Sequence, residues 1–238
     1  LFRKDKRVPV AGDRVGIAVD GDGTGVIEVL RERRNMLVRP PVANLDLLAV
    51  VASVTDPSPN TLVMDKMIAL AEINGIEPVI VITKTDLKAP DALEEIYRRA
   101  GFAVFVVSAQ APESIEPLRK VLSGKLSAFT GNSGVGKSSL LNRLDPRLSR
   151  ETGETSKKLG RGRHTTRTTV LYRQPGGGYI ADTPGFSSIE FERTQMIRKE
   201  ALSGCFREFD AYFGKCRYGS CTHMGEDGCI RIRSICCK

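Results

Sequence analysis

The chain has 238 residues, 41% of them hydrophobic, and a formal net charge of +8. That length and apolar content exclude wholesale disorder and allow one to two domains around a buried core. The longest apolar runs, 47–52 and 102–107, are far shorter than the roughly eighteen residues a membrane-spanning helix needs, and no charged-then-apolar leader opens the chain. A soluble, cytoplasmic protein without a membrane partner is expected.

Residues 1–41 hold two β-like runs, 14–19 and 25–30, each bounded by Gly/Asp turn signals, which amounts to half of a small β module. Pro40-Pro41 reads as a stiff joint and a domain boundary. From 42 to about 190, apolar runs at 45–54, 79–83, 102–108, 126–130, 169–173 and 179–182 alternate with helical stretches. Of these, 61–73 is closed by Asn74-Gly75 and 91–99 by Gly101. Alternation of this kind predicts an α/β fold, a mainly parallel sheet covered by helices on both faces, with ligands at the carboxyl ends of its strands.

The stretch 143–168 breaks that rhythm and is expected to be a long functional loop. Residues 143–173 carry nine basic and three acidic groups, a balance suited to a polyanion such as RNA, with solvated charge as the plain alternative. Beyond 192 a polar helical pattern leads into a tail that holds all six cysteines: Cys205, Cys216, Cys221, Cys229, Cys236 and Cys237. Cysteines clustered around His223, without a secretory leader, point to metal rather than to disulfides. Cys205, set among apolar and aromatic residues, reads as a buried small hydrophobe.

Gly131-Asn132-Ser133-Gly134-Val135-Gly136-Lys137-Ser138 fits G-x-x-x-x-G-K-[ST] between a predicted strand and a predicted helix. Backbone N–H groups of such a loop wrap a phosphate, Lys137 reaches the outer phosphates, and Ser138 can ligate Mg²⁺, with Ser139 following in the same first turn. Three companions end other predicted strands. In Asp182-Thr183-Pro184-Gly185, Asp182 can hold Mg²⁺ through water and the Gly185 N–H can meet a γ-phosphate. In Thr83-Lys84-Thr85-Asp86, the carboxylate can accept two N–H bonds from guanine, which adenine cannot offer. In Ser108-Ala109-Gln110, a backbone N–H can meet the guanine carbonyl. Most GTPases place the phosphate loop first and the base-reading motifs last; here the order is reversed.

That permuted order, the basic run Gly160-Arg161-Gly162-Arg163-His164-Thr165-Thr166 and the Cys-rich tail resemble the circularly permuted, small-ribosomal-subunit-dependent GTPases of the RsgA/YjeQ family. The resemblance spans nearly the whole chain. It implies a partial OB-fold β-barrel (1–41), a circularly permuted P-loop GTPase domain (42–191) and a small helical zinc-binding domain (192–238). It further implies a protein that binds GTP/GDP with Mg²⁺ and hydrolyses GTP during late maturation of the small ribosomal subunit, in contact with its rRNA; a monomer is expected. An OB-fold has five strands, more than 1–41 supplies. Thr83 stands where most GTPases have Asn, so guanine selectivity is expected to rest on Asp86 and the Ala109 backbone.

Many GTPases orient the attacking water with a Gln just after Asp-x-x-Gly, a position occupied here by Phe186. His164 is the candidate to supply that contact, with Thr165 or Thr166 on Mg²⁺ and the γ-phosphate; an RNA-contacting or solvated His164 is the alternative. Cys216-x4-Cys221-x-His223-x5-Cys229 matches the family's zinc motif, and three thiolates with one imidazole fill a tetrahedron, making one structural Zn²⁺ site. Ligand sets using Cys236 or Cys237 are the alternative. Two rival functions stand beside this one: an ATP-using P-loop enzyme, and a zinc-stabilised RNA-binding protein whose nucleotide is structural.

Overall fold

The computed structural model describes residues 8–147, 169–182, 197–219, 221, 223 and 226–230, with Asp182 described by its backbone alone. His164, Thr165, Thr166, Gly185, Phe186, Cys236 and Cys237 lie outside the described residues, as does 148–168 of the expected loop.

The two N-terminal runs pair as an antiparallel hairpin, β1 (Val15–Val19) and β2 (Gly25–Leu30), with Val19 opposite Gly25. Asp22 organises its turn, Oδ1 accepting from the Thr24 N–H at 2.9 Å and the Thr24 hydroxyl at 2.6 Å. Ile17, Val19, Val26 and Val29 on the hairpin are exposed. A second pair, β3 (Met36–Leu37) and β4 (Val42–Ala43), flanks the two prolines. Pro40-Pro41 is therefore the turn of a strand pair, and Leu37 and Val42 on either side of it enter the same core as the strands that follow. Two polar groups brace this region. Asn44, at φ 57, donates from Nδ2 to Gly12 O and accepts the Arg34 N–H, both at 2.9 Å. Asp13 takes Arg33 in a two-pronged bond, Nε at 2.7 Å and Nη2 at 2.8 Å.

Then the pattern becomes strand–helix. β5 (Leu47–Ser53) leads to α1 (Thr61–Ile73), β6 (Glu77–Thr83), α2 (Asp91–Arg99) and β7 (Ala103–Val106). A 3-10 turn (Pro112–Ile115) and α3 (Glu116–Leu122) follow, then β8 (Leu126–Thr130), α4 (Lys137–Leu144), β9 (Val170–Arg173) and β10 (Tyr179–Asp182). The six strands β5–β10 form one sheet in the order β7-β6-β5-β8-β10-β9, parallel except for the edge strand β9, which runs antiparallel to β10.

Every residue of β5 is buried, as a central strand covered on both faces must be. Its alternation divides the core. Leu48, Val50 and Ala52 face Met64, Met67 and Ile68 of α1 and Leu93 and Tyr97 of α2. Leu47, Ala49 and Val51 face Leu118 and Leu122 of α3 and Leu140 and Leu144 of α4. The local reasons are ordinary ones: α1 starts at Asn60, whose side chain accepts the Val63 N–H, and stops at Asn74-Gly75 with Gly75 at φ 64.

Among the described residues of the tail the helical segments are short. A four-residue helix, α5 (Lys199–Leu202), gives way to 3-10 turns at Ser203–Cys205 and Arg207–Tyr212. Cys205 is buried as expected, and its Sγ donates to Ala201 O at 3.4 Å. No helix among the described residues is long and apolar enough to cross a membrane.

Candidate nucleotide site and metal centre

All four motif segments begin at carboxyl ends of strands in this one sheet. Thr83 ends β6, Ser108 lies two residues past β7, Gly131 follows β8, and Asp182 ends β10. Parallel strands expose their carboxyl ends on one edge, so the motifs converge there although up to about a hundred residues separate them.

The phosphate loop turns sharply out of β8. Gly131 has φ 148, and a Cβ there would stand 2.2 Å from Val51 O, so no side chain fits. Gly136, at φ 91, sets the left-handed step into α4. Val135 between them is buried and anchors the loop in the core, while Ser133 and Gly134 are exposed. Lys137 opens α4, and its Nζ donates to Gly131 O and Asn132 O, each at 2.6 Å. Burial lowers the pKa of this ammonium, so an anion placed against it would be strongly favoured. Ser138 and Ser139 stand exposed on the same first turn.

Thr83 ties the base-reading side to this loop. Its hydroxyl has one proton to give and points it at Val135 O, 2.6 Å away, with Ala52 O at 3.2 Å. A residue that departs from the common Asn thus still fastens the end of β6 to the phosphate loop. Lys84 follows at φ 59 and donates from Nζ to Asp56 O. Beyond Thr85, Asp86 Oδ1 accepts the Ala109 N–H at 3.2 Å. An acceptor and a donor therefore lie side by side, complementary to an edge offering N–H groups next to a carbonyl. The Ser108–Gln110 turn is closed by the Ser108 N–H on Ser114 Oγ and the Gln110 N–H on Ser108 Oγ, both at 3.1 Å.

The second centre is in the tail. Cys216, Cys221, His223 and Cys229 bring one Sγ or ring nitrogen each to within 4.8 Å of one another. The three sulfurs stand 3.5, 3.7 and 3.5 Å from His223 Nδ1. A tetrahedral zinc with ordinary Zn–S and Zn–N bonds has sulfur–nitrogen edges of about 3.5 Å, so the donors already have the spacing of one such ion. Loss of water and the adjoining Cys229 and Cys216 thiols push the Cys221 thiol up to about 12, so a cation beside it would favour its thiolate form. His223 is held by Phe209 and Phe213, whose rings meet it edge-on at 5.7 and 5.8 Å.

Sequence reasoning missed the groups that join these parts. Arg207, which opens the second 3-10 turn of the tail, reaches Glu72 at 2.6 Å and Glu77 at 2.9 Å and lies over the Phe102 ring at 4.7 Å. Nothing in its local sequence marks it, because its partners are distant in the chain.

The family model for the RsgA GTPase matches residues 30–192. The small ribosomal subunit biogenesis GTPase RsgA of Moorella thermoacetica is 43% identical over 236 residues, covering 98% of this chain and 80% of the relative. The corresponding RsgA 2 of Oceanobacillus iheyensis is 44% identical over 235 residues, covering 96% and 79%. The crystal structure of YjeQ from Thermotoga maritima aligns with a TM-score of 0.80 at 35% identity, over 98% of this chain and 80% of that one. That of YloQ, a circularly permuted GTPase, aligns with a TM-score of 0.78 at 34% identity, over 99% and 76%. A phosphate loop that follows the base-reading loops in the chain yet shares their sheet edge accords with these likenesses, and the chain belongs to the RsgA family of circularly permuted GTP hydrolases.

Proposed function

We propose that the chain acts as a late-stage maturation factor of the small ribosomal subunit, binding GTP at the carboxyl edge of its sheet and rRNA through its basic surfaces. The observation that carries the nucleotide reading is the pairing of Asp86 with the Ala109 N–H on the sheet edge that holds the phosphate loop, laced to it by Thr83. Guanine replaces the Asp86–Ala109 bond: Asp86 accepts from the guanine ring N–H and amino group, and the Ala109 N–H so released meets the guanine carbonyl. Adenine presents the opposite pattern and offers Asp86 and the Ala109 N–H nothing to replace the bond they make to each other. The N–H groups from Gly131 to Ser139 take the phosphates, and Lys137 exchanges two loop carbonyls for phosphate oxygens. Lys84 and Thr85 carry Asp86 to its place.

Ser138 and Asp182 offer only oxygen donors, which suits a hard cation such as Mg²⁺; that ion would neutralise charge on the β- and γ-phosphate oxygens. Gly185 faces the γ-phosphate in this reading. Phe186 cannot hydrogen-bond water, so His164 orients the nucleophile, with Thr165 and Thr166 on the metal and γ-phosphate. Cys216, Cys221, His223 and Cys229 hold one Zn²⁺ with no open position, a structural role. The working unit is a cytoplasmic monomer of three modules, 1–41 as part of an OB-fold, 42–191 and 192–238.

Single-turnover GTP hydrolysis, with and without purified small subunits at fixed salt, tests this. Without subunits the rate should be near ~10⁻⁴ s⁻¹, the scale of a GTPase lacking its activating contact, and subunits should raise it by orders of magnitude. Lys137→Ala should abolish both rates. An unchanged rate with subunits would refute the partner, and equal use of ATP would refute the base site.

A further inference from the structure

The base-reading turn is exposed at Ala109 and Gln110, and its own hydrogen bonds are short-range, yet the N–H it offers must stay beside Asp86. One side chain from the phosphate helix reaches it. Arg143, in the last turn of α4, donates from Nη1 to Ser108 O at 2.7 Å and from Nη2 to Ala111 O and Pro112 O, each at 3.1 Å. These carbonyls bracket Ala109 and Gln110. A return strut fixes Arg143 itself: Arg119 of α3 donates to Arg143 O at 2.9 Å and to Leu144 O. The planar, multiply donating guanidinium suits a fan of carbonyls, which a single ammonium cannot span equally well.

We propose that Arg143 is a positioning residue for guanine recognition, clamping the Ser108–Pro112 turn to the phosphate helix so that the Ala109 N–H is presented to the base. The proposal rests on the reading of Asp86 and Ala109 as the guanine site. It assigns specificity to a side chain that touches neither base nor phosphate and makes the two halves of the nucleotide site one rigid unit. Its loss should be felt by nucleotides that use the Ala109 N–H and not by those that do not.

The test is the affinity of the full chain for GDP, inosine diphosphate and ADP, by calorimetry at fixed Mg²⁺, in the wild type, Arg143→Ala, Arg143→Lys and Asp86→Ala, with folding checked by thermal melting. Inosine diphosphate keeps the 6-oxo group and lacks the 2-amino group; ADP lacks both. Arg143→Ala should weaken GDP and inosine diphosphate alike, by about tenfold, the scale of one well-placed hydrogen bond. ADP should hold to within about twofold, and Arg143→Lys should restore part of the loss. Equal weakening of all three nucleotides, or of none, would overturn the proposal. If Arg143→Ala does not fold, Arg143→Lys decides by the same criterion: loss confined to the 6-oxo nucleotides supports the clamp, and a uniform loss or none overturns it. A wild type without preference for GDP, or an Asp86→Ala variant that keeps the preference, would instead refute the base site and the clamp with it.

Discussion

Thr83 shows how a single hydroxyl can replace a larger amide. It is buried, and its bond to Val135 O joins residues 52 apart in the chain. Thr83→Val keeps the shape and removes the proton, leaving a buried carbonyl without its donor. A loss of about 1–3 kcal/mol of stability follows, measured by denaturant unfolding. Because the phosphate loop loosens with it, GDP and ADP should both weaken, whereas Thr83→Ser should stay near wild type. That pattern is distinct from the one expected of Arg143, which acts on the base-reading turn alone.

Among the elements, the N-terminal segment is braced by the ion pair of Asp13 with Arg33. Asp13 is 3% exposed and Arg33 16% exposed at their side chains. Burial by itself would raise the Asp13 pKa, but Arg33 and the Val10 N–H together hold it below its ordinary 3.8. A carboxylate depressed in this way adds stability that is fully present above the unfolded pKa and is lost as pH falls through the folded one. Stability should therefore drop below about pH 4, and Arg33→Ala should remove that part of the dependence. The same substitution leaves Asp13 buried without its cation, a loss of about 3–5 kcal/mol. Denaturant titrations at pH 7 and pH 3.5 measure both effects: a difference between wild type and variant that does not shrink at the lower pH would contradict the assignment. The β3–β4 pair nearby was invisible in the sequence, because two-residue strands have no periodicity to read. That Leu37 and Val42, on either side of Pro40-Pro41, reach the same core is visible only in three dimensions.

At the scale of the whole molecule, the tail combines a metal-shaped cluster with Arg207, which pins it to Glu72 and Glu77. Among the described residues of 205–230 the buried apolar ones are Cys205, Phe209 and Cys229, a small core to which metal binding would add free energy. Chelation should therefore release one Zn²⁺ per chain and open this segment to proteolysis while GDP binding at the sheet edge persists; Cys221→Ser should do the same. Loss of GDP binding in parallel would mean that the two centres fold as one. Much of this plan was legible beforehand. The phosphate loop is contiguous, Gly136 answers to a local backbone need at φ 91, and the Cys and His spacing carries the ligand set. The alternation of apolar strands and capped helices, a local property with a fixed period, determined the two-faced sheet, and the order of the motifs along the chain determined the permutation. Only the tertiary structure decided which side chains lace the motifs together. Thr83 to Val135, Arg143 to Ser108 and Arg207 to Glu72 span 52, 35 and 135 residues, and contacts so distant in sequence depend on how whole helices seat on the sheet, which no local pattern encodes.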